Sequence, residues 1–417
     1  MTSTERLRDR PGFVRFWTAE TVSAFGSGIT ALAIQVLVVE QLAAGATGVG
    51  LVNAARWLPY LLLGIIVGVL VDRARRRPVL VGTDLLRGLL LIMIPVLALT
   101  GLLDLVALVI IMIGFGTLSI INDAASQSIL PRLVPPALIT RANARLDSSG
   151  AVAQTTGPAV AGGLVSLLTA PIAILIDAAT FLASAVLTWF VRVEEPPPAR
   201  LSLRGVGREA MEGLRWAYGH RTLAPLALTT HGWFICNAVG GAVLPAYALT
   251  TLGLDPFGFG VLIALCGIGA LLGSLVATRL GERFGVGPVV IGCRIVDAVA
   301  WATFALAAAG WAGLIVFGVG QLLFGLGLGA SNANEMGYRQ TVTPDRLQGR
   351  VNASLRSLNR AMVVIGAPLG GILGDALGFR PILWAVAVGF LIVAVAMLFT
   401  PARTARISHG DPADDPQ

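Results

Sequence analysis

Twelve stretches of about 20 apolar residues, the length needed to cross a hydrocarbon core, follow one another along the chain, and every second break between them is rich in arginine. The spans fall near residues 16–40, 48–71, 79–100, 105–126, 148–168, 171–192, 223–249, 257–280, 288–309, 311–334, 353–376 and 380–400. Of 417 residues, 55% are hydrophobic and only 13% charged, too few charges to cover the surface of a water-soluble protein of this size. The expected fold is therefore an all-α membrane protein with 12 transmembrane helices.

The charge pattern orients these spans. All 30 basic residues are arginine, giving a net charge of +7. They gather after span 2 (Arg73, Arg75, Arg76, Arg77), span 4 (Arg132, Arg141, Arg145), span 8 (Arg279, Arg283) and span 10 (Arg339, Arg346, Arg350), whereas the alternate breaks hold almost none, Arg380 excepted. This is the positive-inside bias of a multi-pass protein, and it predicts both termini in the cytoplasm and residence in the cell (inner) membrane. A continuous basic face for nucleic acid is not expected. The opening MTSTERLRDRPGFVRF has no small-residue cleavage site, so no removable signal peptide is read there. Cys236, Cys266 and Cys293 each stand alone in a different apolar run, without metal-ligand spacing.

Between spans 6 and 7, EEPPPARLSLRGVGREAMEGLRWAYGHR is polar and proline-led. Its Leu203, Val206, Ala210, Leu214 and Ala217 recur at helical spacing, which predicts an amphipathic helix on the inner membrane surface. The two sides of this linker repeat each other. Arg141, Asn143, Ala144, Leu146, Ser148 and Gly157 return at constant offset as Arg350, Asn352, Ala353, Leu355, Ser357 and Gly366. Gly64 and Gly68 are paired with Gly269 and Gly273, and Asp84 with Arg87 is matched by Arg294 with Asp297, order reversed. The expected organisation is an N-terminal six-helix bundle (1–192), a linker (193–222), a C-terminal six-helix bundle (223–400) and a disordered tail (401–417). Parallel repeats of this kind suit transport in which one half rocks against the other about a central cavity.

GVLVDRARRRP, after span 2, resembles the signature of the major facilitator superfamily, with Gly68, Leu70, Asp72, Arg73, Arg76 and Arg77 matching and Arg75 standing where the family has Gly. GSLVATRLGER is taken as its second-half counterpart, with Ala277 in place of the Asp. PRLVPPALITRANA, LIDAATFLASA and EGLRWAYGHRTLAPL look like the strings of the drug- and siderophore-exporting branch, which includes enterobactin and macrolide exporters. GPAVAGG in span 5 (Gly157, Pro158, Gly162) is similar to the antiporter motif, with Ala161 replacing a glycine. The resemblance implies two six-helix bundles around a central cavity, and export by proton antiport.

A charge inside a span costs about 3 kcal/mol or more unless paired or hydrated, so each is a candidate site. Glu20 is read either as a proton carrier or as a partner of Arg15 or a loop arginine. Arg56 is read as a charge partner or substrate contact. Asp123 is expected in a salt-bridge network at the inner end with Asp72 and Arg73, the gating group that also includes Gly68, Arg76 and Arg77. Asp72 is placed to cap a helix of the other half. Asp177 is read as a coupling residue or a packing residue, and His231 as a titrating group or a structural one. Gln35, Asn237, Gln321 and Asn332 either line the cavity or tie helices together, and Glu335 ends span 10 near the inner face. No nucleotide-binding motif, metal cluster or cofactor site is read, and no enzymatic activity. The expected partners are a small molecule, protons and the bilayer, with the chain a monomer. The sequence thus points to a proton-coupled exporter of small amphiphilic molecules; a nutrient symporter and a non-transporting receptor or scaffold of the same fold are the alternatives.

Overall fold

The computed structural model describes residues 6–193 and 206–406, apart from the side chains of residues 65, 69, 72, 206 and 210. The first six long helices are α1 (Pro11–Val36), α2 (Gly45–Arg73), α3 (Arg76–Leu99), α4 (Leu105–Leu133), α5 (Ile139–Leu168) and α6 (Ala170–Trp189). A 14-residue helix α7 (Val206–Gly219) follows. The second six are α8 (Leu223–Ala246), α9 (Pro256–Phe284), α10 (Val286–Leu306), α11 (Trp311–Val342), α12 (Asp345–Leu377) and α13 (Phe379–Leu398). Eleven of these are long and apolar enough to cross a membrane among the described residues, and α2, 29 residues long, completes the expected twelve. Helices α4, α5, α11 and α12 run beyond their apolar spans into arginine-bearing sequence. A hydrocarbon core limits only the apolar part of a helix, so polar turns continue it outside.

Side-chain caps start two helices at the arginine-poor end, called here the far end. Asp104 accepts from the Ala107 amide at 2.8 Å and Asp255 from the Gly258 amide at 3.0 Å. The turn between α12 and α13 passes through Gly378 at φ +91°, a left-handed conformation that costs glycine little. In the register that aligns Arg141 with Arg350, the first half has Thr169 there, held at φ +86° against the steric preference of an L side chain.

Within the first six helices, α1 packs on α5 and α6, and α3 on α4 and α6; within the second, α8 packs on α12 and α13, and α11 on α9 and α10. The two sets meet through α2 on α12 and α5 on α9. One buried apolar cluster at the far end draws on both sets, from Ile29, Val49 and Phe181 to Trp233, Phe304 and Phe390. At the arginine end the core divides. Phe13, Phe16, Ile129 and Leu138 belong to a cluster of the first set alone, and Leu226, Val290, Leu347 and Val351 to one of the second.

Three local expectations change. Helix α7 does not simply lie on a surface: Ala217 is buried in the second-set cluster, Arg350 pairs with Glu212 at 2.6 Å and Glu209 at 3.5 Å, and Arg346 pairs with Glu212 at 3.2 Å. Leu203 lies outside the described residues. The expected disordered tail begins later than 401, because Pro401–Thr404 form a turn, Ala402 and Ala405 are buried, and the Gly287 amide donates to the Ala405 carbonyl at 3.1 Å; residues 407–417 lie outside the described residues. Arg380, the exception to the arginine bias, donates to the buried Ala307 carbonyl at 3.0 Å and thus serves the C-terminal end of α10.

Candidate functional site

The far end is closed by four glycine crossings that repeat between the halves. A Cβ on Gly50 would strike the Ala367 carbonyl, and one on Gly371 the Ala46 carbonyl; at the corresponding positions of the repeat, a Cβ on Gly260 would meet the Pro158 carbonyl and one on Gly162 the Pro256 carbonyl. Each crossing brings backbone against backbone between opposite halves. Gly162 and Pro158 of the antiporter-like motif thus sit in the contact between α5 and α9, while a Cβ on Gly157 would meet the Gly28 Cα of α1 at 3.5 Å. The closure is also capped. Asp375 at the end of α12 accepts from the Ala46 and Thr47 amides at 3.0 and 2.8 Å, which satisfies the N-terminus of α2. Its counterpart Ser166 accepts from the Phe257 amide of α9 at 3.1 Å. Neither cap was expected from the sequence; the repeat register alone relates them.

That register also revises the second-half counterpart of the gating signature. The matching crossings align Gly50 with Gly260, and so Asp72–Arg73 with Glu282–Arg283 rather than with Ala277 and its neighbour. Helices α2 and α9, 29 residues each, end at Arg73 and Phe284 in agreement with this. An acidic–basic pair therefore closes both helices. The Gly64/Gly68 pairing with Gly269/Gly273 fails for the same reason: Gly269 and Gly273 press on α11 carbonyls, but a Cβ on Gly68 would meet open space.

Toward the arginine end, Glu20 of α1 faces a cavity of about 410 Å³ lined also by Ser126 of α4 and Asn143, Asp147 and Gln154 of α5. Ser126 Oγ donates to Glu20 at 3.1 Å, and among the described residues no arginine forms an ion pair with this carboxylate; Arg15 instead donates to the Phe190 carbonyl at 2.7 Å. In the second half the same two helix positions carry the groups exchanged. Thr230 on α8 stands at the place of Glu20, Glu335 on α11 at the place of Ser126, and Thr230 Oγ1 donates to Glu335 at 2.7 Å. Glu335 is clamped further by Arg294 at 2.5 Å. Arg294 also reaches Asp297 at 3.4 Å, and Trp233 donates to Asp297 at 2.9 Å. The corresponding knot in the first half ties Arg87 to Asp84, which accepts from Asn122 at 3.0 Å and Ser184 at 2.7 Å.

The remaining candidates separate. Gln35 and Arg56 come together with Asn53 around a small cavity between α1, α2 and α4. His231 bonds Asn359 at 2.7 Å and Tyr218 of α7 at 2.5 Å, beside Thr230, Glu335 and Arg339. Asp177 is fully buried where α6 crosses α1 at Gly26, held by Thr180 at 2.9 Å. Asp123 accepts from Tyr60 of α2 at 2.7 Å, and it is Asn122, one residue before, that enters the Asp84–Arg87 knot. Arg77 donates to the Trp189 carbonyl at the end of α6, within its own half, while the side chain of Asp72 lies outside the described residues. Arg76 is buried; Arg73 is partly exposed. Gln321 is buried on α11, Asn237 is half-buried on α8, and Asn332 is exposed, whereas Asn334 buries its amide against the Ala277 and Ala330 carbonyls at 3.0 and 2.9 Å.

Twelve membrane helices in two repeated sets, sharing an apolar core at one end and separately packed at the other, define a multi-pass membrane transporter of the major facilitator type. The chain belongs to the family described as transmembrane secretion effector, whose model matches residues 7–414. It is 27% identical over 413 residues to the multidrug efflux pump Tap of Mycolicibacterium fortuitum, covering 96% of this chain and 97% of that protein. Macrolide efflux protein A of Streptococcus pyogenes is 23% identical over 390 residues, covering 93% and 94%. Among solved structures, a bacterial homologue of the iron transporter ferroportin, 18% identical, matches at TM-score 0.70 in its inward-facing state (92% and 98% covered) and 0.59 in its outward-facing state (93% and 98% covered). Family and relatives are transporters, not enzymes.

Proposed function

We propose that the protein is a secondary active exporter that moves small amphiphilic molecules of the drug or siderophore class outward by alternating access, in exchange for protons. The observation that carries this reading is the division of the apolar core, shared by both halves at the far end and separate at the arginine end, with Glu20 on a cavity of the first half. With the arginine end in the cytoplasm, as the positive-inside bias directs, this is an inward-facing arrangement ready to receive a compound from the cell. The higher TM-score to the inward-facing ferroportin homologue agrees with it, and the efflux named for two relatives favours the outward direction.

In this mechanism residues 1–192 and 223–400 are the rocking bodies. Opening the far end breaks the Asp375 and Ser166 caps and parts the glycine crossings; the arginine end then closes, where Asp72–Arg73 and Glu282–Arg283 end α2 and α9. Glu20, which among the described residues has one hydroxyl partner and no ion pair, is the group suited to exchange a proton as access alternates. Each proton moved down 100 mV supplies about 2.3 kcal/mol. Uptake of a fluorescent amphiphile into inverted membrane vesicles tests the reading. Accumulation is expected under an imposed pH gradient and is expected to vanish when the gradient is collapsed; persistence without the gradient removes proton coupling, and uptake only into right-side-out vesicles removes export.

A further inference from the structure

Two guanidinium groups that come from opposite halves approach the ring of Trp57 of α2. Arg360 of α12 stands over its ring with the guanidinium carbon 3.8 Å from the centroid, and Arg56 approaches the same ring at 5.7 Å and the Phe115 ring at 5.7 Å. Among the described residues neither arginine makes a hydrogen bond or an ion pair, and Arg360 Nε is buried without a partner. Arg87 and Arg294, which also have an Nε without a partner, differ in that each holds a carboxylate. Two carboxylates, Asp123 and Asp177, act on Arg56 at longer range, but neither forms an ion pair with it; Asp123 accepts from Tyr60 and Asp177 from Thr180. The cavity beside Arg56 is walled by Asn53, Gln35 and apolar groups that include Ile34, Val38, Val52 and Met112, and the buried Gln35 Oε1 has no donor among the described residues.

A cation within a membrane bundle is costly unless its charge is met, and aromatic faces meet only part of it. Guanidinium groups hold carboxylates, sulfonates and phosphates through paired N–H donors. We propose that Arg56, Trp57 and Arg360 form the substrate's head-group site, and that the substrate class is an aromatic organic anion whose acidic group is held by the two arginines. This deepens the exporter reading and rests on it. Because Arg56 and Arg360 belong to different halves, a bound anion would join α2 to α12 and couple occupancy to their relative position.

The test uses two dyes with the same xanthene core and opposite charge, fluorescein (anionic) and rhodamine 123 (cationic). Their equilibrium binding to the purified full-length transporter is read by fluorescence polarisation without any gradient. Wild type is expected to bind fluorescein about tenfold or more tighter than rhodamine 123, the size of a charge-assisted contact. Arg360→Gln and Arg56→Gln should each erase most of that preference, and Arg360→Lys, which keeps the charge, should restore part of it, with size-exclusion profiles confirming folded protein. Equal binding, a preference for rhodamine 123, no binding of either dye, or an unchanged preference in both Gln variants overturns the assignment. A wrong direction of transport or a missing proton dependence would show in the vesicle assay and leave this binding preference intact, so the two readings fail separately.

Discussion

The two halves share a scaffold and differ in what they do with a carboxylate. In the first, Glu20 on α1 has a single serine partner on α4 and faces a cavity; in the second, the carboxylate has moved to α11 as Glu335, the hydroxyl to α8 as Thr230, and Arg294 holds the acid at 2.5 Å. Repetition kept the places where helices meet while leaving the groups at those places free to exchange. An acid whose charge is met by a fixed cation is an anchor. An acid met only by a hydroxyl can change its charge without leaving a buried cation behind.

The contrast breaks most sharply at the two acids. Glu20→Gln is expected to abolish gradient-driven accumulation in vesicles while dye affinity changes less than about threefold. Glu335→Gln should act on the fold instead, lowering stability by about 3 kcal/mol as Arg294 loses its closest partner, read as a fall in melting temperature of the purified protein. Similar phenotypes for both variants would erase the distinction. Next come the glycines. Gly50→Val and Gly260→Val should each cost about 1–3 kcal/mol of far-end closure, seen as raised labelling of cysteines introduced at that end; a large difference between them would deny that the crossings are equivalent. The caps should show a graded effect. Asp375→Ala, which loses a charged acceptor of two amides, should weaken closure by about 1–2 kcal/mol, and Ser166→Ala by about 0.5–1 kcal/mol, in the same labelling assay. Arg380→Ala should change stability by less than about 1 kcal/mol and leave the topology of tagged termini unchanged, since its work is to serve the Ala307 carbonyl.

Helix number and order were legible because lipid demands long apolar runs and the arginines mark alternate breaks. The pairing of Asp84 with Arg87 and of Arg294 with Asp297 was legible too, since groups three residues apart share a helix face. What escaped were relations between helices distant in sequence. The hydroxyl partner of Glu20 sits on α4, and nothing near residue 20 names Ser126. The Asp375 and Ser166 caps involve an acceptor from one half and amides from the other, and a capping residue is recognisable in sequence only when it stands beside its own helix. The second-half counterpart of Asp72–Arg73 was misplaced by the glycine and leucine spacing shared by GVLVD and GSLVA; only the backbone crossings fixed Glu282–Arg283 as its equivalent. The cation-flanked ring of Trp57 was likewise invisible, because Arg360 reads locally as one more arginine near the start of an apolar run.

The far-end crossings carry one more implication. Where a glycine rests directly on a carbonyl, the joint contains no rotatable groups to be immobilised when it shuts. Such a seam loses little disorder on sealing and has few interlocking knobs to disengage on parting, so the two states can lie near in free energy. On the proposed alternating-access reading, a transporter that must visit both states is served by a joint of bare backbone.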